Sequence, residues 1–343
     1  MRLFLFASAL LVLLSACQSA PQPAPAALPV RMLDHAAQIE MAPPEGYAFS
    51  RDGRTLIFSA NDGGAMKAFS IPLTGGEPTA LASTGDTHVL SYFPGDDRVL
   101  LRVGAHLVVR ERDETTRDLG LASFLTWCAD GSAAVAGVGG LYRLDTTSYE
   151  RRLVLPLPEE RVPNTAITAV SRDCRWAAIT TSLVNAIYLA DLSAPQPSQR
   201  QILQHAGDTT YSVLGFTPTN QSLIYSQRQG SGFAEAYRYA LADGQNYPVM
   251  QTQADVLAIT FSPTGHYGAY YSGAHGNIAD AAIVDQTSEE AVPLFGGTRD
   301  LRFTRDETKI AFRLANDGWP NDIFIADVDG DHIARLVHAP SAH

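Results

Sequence analysis

One phrase recurs along this chain at a spacing that few folds tolerate: an apolar strand ending in an aromatic residue, a tight polar turn, then a second apolar strand. The clearest copy runs from Ala48 to Phe58, with Phe49-Ser50-Arg51-Asp52-Gly53 at its centre. Counterparts centre on Phe93, Trp127, Val170, Phe216, Phe261 and Phe303, so successive anchors lie 44, 34, 43, 46, 45 and 42 residues apart. This period is that of a four-stranded propeller blade and far exceeds that of a leucine-rich repeat. A single blade has two apolar faces and can bury neither alone. Stacking blades around an axis until the ring closes buries both. The sequence therefore predicts an all-β fold, a β-propeller of four-stranded blades. Seven phrases predict seven blades, with six as the alternative because the short step to Trp127 marks a compressed unit.

The remainder of each unit fits the same pattern. A third apolar run follows each phrase, at 68–71, 107–109, 141–144, 187–189, 236–239, 281–284 and 323–325, and a shorter fourth run closes most units, as at 79–81, 152–155, 201–203 and 334–336. These runs are rich in Ile, Val, Tyr and Phe and are bounded by Gly, Pro, Asp and Asn, which is strand punctuation. After residue 40 no segment shows a sustained 3.6-residue apolar period, so helical repeats are disfavoured.

The phrase F-S-x-D-G followed by an apolar strand resembles the WD-repeat-like units of the TolB-like propeller family. The resemblance covers residues 41–338 and is strongest at Phe49–Gly53 and Phe261–Gly265. It implies that the aspartate and glycine form the turn between the first two strands, as Asp52-Gly53 and Asp130-Gly131 would here. Neither a mixed α/β domain ahead of the repeats nor a hydrolase domain after them is expected, so the resemblance implies the propeller alone.

Residues 1–16 read as an export signal: Arg2, an apolar run from Leu3 to Leu14, then small residues. A run of this length is too short to span a bilayer. Leu14-Ser15-Ala16-Cys17 is similar to the lipobox of bacterial lipoproteins, which implies acylation of Cys17. Gln18 after the cysteine, where an aspartate would favour the inner membrane, implies the periplasmic face of the outer membrane. Residues 17–40 then form a tether, rich in Pro and Ala around Pro21, Pro23, Pro25 and Pro29. The expected partners are the membrane, through the lipid, and an envelope protein. With 25 basic against 36 acidic side chains and a net charge of −11, nucleic acid is not expected.

No catalytic motif, cofactor fingerprint or metal-ligand spacing stands out. There is no G-x-S-x-G, the nine histidines are scattered, and Asp327-Val328-Asp329-Gly330-Asp331 lacks the spacing and terminal glutamate of an EF-hand. The expectation is a binding or scaffolding module without cofactor; the alternatives are a propeller enzyme, or a small-ligand or sugar sensor, using the central channel. In a propeller, the loops joining strands two and three and those joining blades share one face. That face would collect Asn61, Asp62, Asp86, His88, His205, Asp208, His275, Asn316 and Trp319 as a candidate interaction surface. Cys128 and Cys174 fall in the first turns of consecutive units, where an oxidising compartment permits a disulfide; two buried thiols are the other reading.

Overall fold

The computed structural model describes residues 31–32, 46–62, 65–82, 86–157, 165–181, 186–204, 207–250, 255–274, 277–288, 291–294, 297–314 and 322–337. They form seven antiparallel sheets, each ordered from first strand to fourth as in the sequence, which makes a seven-bladed propeller and removes the six-bladed alternative. Blade 1 contains Tyr47–Phe49, Thr55–Asp62, Ala65–Pro72 and Thr79–Ala82. Blades 2 to 6 begin at Thr87, Phe124, Thr165, Thr209 and Asp255, and blade 7 runs from Thr298 to Val337. The short step near Trp127 reflects short connections: blades 2 and 3 each keep all four strands.

Burial follows the radial position of each strand. Second strands lie between neighbouring blades and read as continuous apolar runs: Leu56, Ile57 and Phe58, Val99, Leu100 and Leu101, and Ile310, Ala311 and Phe312 are buried. Burial of each large side chain of this kind stabilises by roughly 1.5–3 kcal/mol. Outer strands face water on one side and are polar, as Thr116–Leu121 and Gln199–Leu203 show. In six blades the register slips by one residue between the third and outer strands, for example at Leu141/Tyr142 and Ile187/Tyr188. Such bulges add local twist and turn the edge away from further pairing.

The ring closes between blades 7 and 1. Tyr47, Leu56, Phe58, Phe69 and Ile71 of blade 1 pack with Ala311, Ile323, Ile325, Leu336 and Val337 of blade 7. The Tyr47 hydroxyl donates to the carbonyls of Asp300 and Ala311 across the seam. Burial pushes that phenol far above its usual range, so it stays a donor. Arg31–Met32 adds a two-residue strand parallel to the outer strand of blade 7, Met32 facing Arg335 in register. Gly46 enters blade 1 at a φ of 97°, where a Cβ would lie 1.4 Å from the Val89 carbonyl oxygen of blade 2. Only glycine fits that approach.

Candidate ligand-binding channel

The repeated turn between first and second strands builds one end of the axial channel. In blades 1, 4, 5, 6 and 7 the first turn position is Ser50, Ser171, Thr217, Ser262 or Thr304, and each hydroxyl accepts the backbone N–H five residues on, at 2.9–3.2 Å. Ser50, Ser171 and Thr304 also donate to the aspartate two residues later. The fourth position has positive φ: Gly53, Gly131, Cys174, Asn220, Gly265 and Glu307. The S-x-D-G pattern is thus a self-bonded turn, with glycine, asparagine or a strained residue at the left-handed corner.

Blades 2 and 3 depart from the pattern, and they are held differently. In blade 2 the strand ends at Tyr92, so Phe93 occupies the hydroxyl position and is one residue out of step with the aromatic anchors of the other blades. Phe93 is buried against Trp127 at 4.8 Å, with the Arg98 guanidinium 4.3 Å above its ring. Arg98 is fixed by Asp96 at 2.9 Å and by the Thr146 carbonyl. In blade 3 the position is Cys128, and it is disulfide-bonded to Cys174 of blade 4, with Cα atoms 5.5 Å apart.

Further ties join the turns to one another. Arg51 Nη1 donates to Gly95 O at 2.8 Å, Ala129 N to Arg172 O at 2.6 Å, Arg172 N to Asn220 Oδ1 at 2.8 Å, and Thr264 Oγ1 to Glu307 Oε2 at 2.8 Å. Two arginines reach non-adjacent blades: Arg172 to the Pro263 carbonyl, and Arg305 to the Pro94 carbonyl at 3.1 Å. This frame surrounds two neighbouring cavities that share Pro263. One, of about 450 Å³, is lined by Thr126, Trp127, Arg172, Phe216, Thr260 and Phe261. The other, of about 370 Å³, is lined by Ser50, Arg51, Ser91, Tyr92, Arg302 and Arg305 among others.

Every charged side chain lining these two cavities is an arginine. Elsewhere on the same face Arg143 pairs with Asp130, Arg175 with Asp191 and Lys309 with Asp327. Turn aspartates sit below the usual carboxylate value for local reasons. For Asp52 the Ser50 hydroxyl is the main cause, and for Asp306 the Thr304 hydroxyl. For Asp130, burial raises the carboxyl, but the Ser132 bonds and Arg143 outweigh it.

Of the residues singled out from the sequence, the described ones, Asn61, Asp62, Asp86, His88 and Asp208, lie at the opposite end. Asn61 and Asp62 end the second strand of blade 1, at its hairpin. Asp86 and Asp208 precede blades 2 and 5; their carbonyls accept from Gly104 N and Gly230 N, which ties each blade connection to its neighbouring hairpin. His88 lies largely buried with Nε2 3.5 Å from Asp86, while its Nδ1 has no hydrogen-bond partner. His205, His275, Asn316 and Trp319 lie outside the described residues, as do Cys17 and Gln18. Among the described residues no three His, Cys, Asp or Glu side chains gather closely enough to hold a metal. The lining arginines escaped notice in the sequence because Arg51, Arg172 and Arg305 occupy the variable x of the repeat phrase. Their recurrence at that position was the available signal.

No protein family matches the sequence as a whole, and no curated protein matches it. Solved structures do. An oligogalacturonate lyase in complex with manganese aligns over 84% of this chain and 90% of its own, at a TM-score of 0.65 and 14% identity. A puromycin-hydrolysing peptidase of Mycobacterium tuberculosis aligns over 92% of this chain but only 56% of its own, at 0.62 and 12%. TolB from Acinetobacter baumannii aligns over 82% of this chain and 81% of its own, at 0.49 and 16%. At such identities the likeness is one of fold, and the chain is a seven-bladed β-propeller of the kind the repeat phrase implied.

Proposed function

We propose that this protein is a lipid-anchored propeller of the bacterial envelope that binds a partner at the turn end of its channel. The carrying observation is the mouth itself: turns from separate blades are tied across the axis and hold arginines that form no ion pair among the described residues around a concave, aromatic-lined opening. A preformed cavity with a few fixed polar groups is how folded proteins present binding sites. The anchor is Cys17, with Gln18 directing it to the outer membrane and the stretch ahead of the Arg31–Met32 strand serving as tether. The Cys128–Cys174 bridge suits the oxidising periplasm.

A photoreactive side chain placed at exposed Thr219, on a first turn, should crosslink an envelope component in cells. The same group at Asp208, on the opposite face, should not. Equal adducts at both positions, or none at Thr219, would remove the turn end as the working site. Export is checked separately by metabolic labelling with palmitate, which Cys17→Ser should abolish. A second reading, an enzyme acting in the same channel, is favoured by the fold likeness to a lyase and a peptidase, but one fold hosts many chemistries. Turnover of a substrate by purified protein would establish it.

A further inference from the structure

We infer that the cavity bearing Arg51, Arg302 and Arg305 is a site for a small polyanion, a compact molecule with two or more carboxylate or phosphate groups. This deepens the reading that the turn end is the working site. The protein carries a net charge of −11, yet three guanidiniums line one cavity of about 370 Å³ and a fourth, Arg172, lines the next. None of the four forms an ion pair among the described residues. Arg51 and Arg305 each spend one Nη1 on a backbone carbonyl of the blade 2 turn, at Gly95 and Pro94. Each head is thereby held in place with donors to spare, since a guanidinium carries five N–H groups. The Arg302 backbone pairs with Ala311 in the sheet, and among the described residues its guanidinium makes no hydrogen bond. The hydroxyl-bearing Ser91 and Tyr92 share the lining.

Like charges gathered without ion pairs among the described residues repel, and an anion bound between them relieves that repulsion. Planar guanidiniums bind oxyanions through paired N–H bonds, and two or three around one cavity favour a ligand with several oxyanion groups over a single one. A monoanion engages one fork and gains little over water and salt.

The test is titration of the purified propeller with citrate, with pyrophosphate and with acetate at physiological ionic strength, followed by calorimetry and by tryptophan fluorescence. Citrate and pyrophosphate distinguish the carboxylate from the phosphate source. One of them should bind saturably, acetate should not, and Arg302→Gln should weaken the binding roughly tenfold for one lost charge-assisted contact. Arg302 ties no element to another, so this variant should fold as the parent; Arg51→Gln and Arg305→Gln should act in the same direction, and Arg200→Gln on an outer strand should change nothing. No saturable binding of either polyanion, or binding that Arg302→Gln leaves intact, overturns the inference. Crosslinking from Thr219 that persists when polyanion binding is absent would end this inference while leaving the proposed envelope function standing.

Discussion

The seams between blades 7 and 1 and between blades 3 and 4 meet the same need by different means. The first brings together residues more than 250 positions apart, Tyr47 with Asp300 and Ala311, and among the described residues no disulfide crosses it. It relies on large apolar side chains from both blades and on a buried tyrosine. The second joins neighbours in sequence, carries smaller side chains such as Ala134, Ala136, Ala177 and Ala190, and is bridged by Cys128 and Cys174. Where packing volume is small, a covalent link substitutes for it. Where the chain must close a ring, volume and buried hydrogen bonds do the work.

Four experiments break or sharpen this contrast. The largest effect is expected from Phe58→Ala, which empties the centre of the closing seam. Loss of a buried phenyl ring costs about 3–5 kcal/mol, read as a lower denaturant midpoint. A loss under about 1 kcal/mol would show that closure does not depend on this packing. Replacing both cysteines, Cys128→Ser with Cys174→Ser, comes next. A loop closed over 46 residues is worth about 4 kcal/mol in the chain-entropy treatment, and measured bridges span about 2–5. Mass spectrometry of the unreduced propeller should find no free thiol at either position, and a count of two would remove the covalent half of the comparison.

Tyr47→Phe keeps the ring and deletes the one O–H shared by the buried Ala311 carbonyl and the half-buried Asp300 carbonyl. The expected cost is about 1–2 kcal/mol, smaller than that of the ring-deleting variant at Phe58. The smallest effect is that of acid. Asp52 and Asp306 flank the closing seam, Asp130 the bridged one, and all three carboxyls lie below the usual 3.8 when folded. Groups of this sense stabilise fully above the unfolded-state value, and that contribution is lost as pH falls through the lower folded values. Thermal midpoints should thus hold steady from neutral pH to about pH 5 and fall below about pH 4, by a similar amount in parent and cysteine-free protein. A fall confined to one of them would tie the turn carboxylates to a single seam.

Much of this architecture was legible in the residues. Period, strand composition and the turn phrase led to four-stranded blades and to their number, because each unit repeats the same local solution to the same burial problem. The phrase also hid something. Serine in F-S-x-D-G reads as a turn former, and only the structure shows its hydroxyl capping the N–H five residues on. Blade 2 illustrates the limit: Phe93 looks like the strand-ending aromatic, but Tyr92 takes that place and Phe93 fills the serine position, since a one-residue shift leaves the apolar pattern almost unchanged. The described part of the candidate surface inferred from loop positions lies at one end of the channel, whereas the arginines that form no ion pair among the described residues line the other.

The sequence by itself determined the repeating unit, its turns and the ring that such units must form, because these rest on local propensity and on apolar faces that no single blade can bury. Which blades touch whom across the axis was decided only by tertiary structure. Arg172 reaching Pro263, Arg305 reaching Pro94, the cysteines meeting, and Tyr47 sealing the ring all depend on where closure places distant turns. A linear spacing carries no record of that, for the curvature of the ring is the sum of many small inter-blade rotations and belongs to no residue alone.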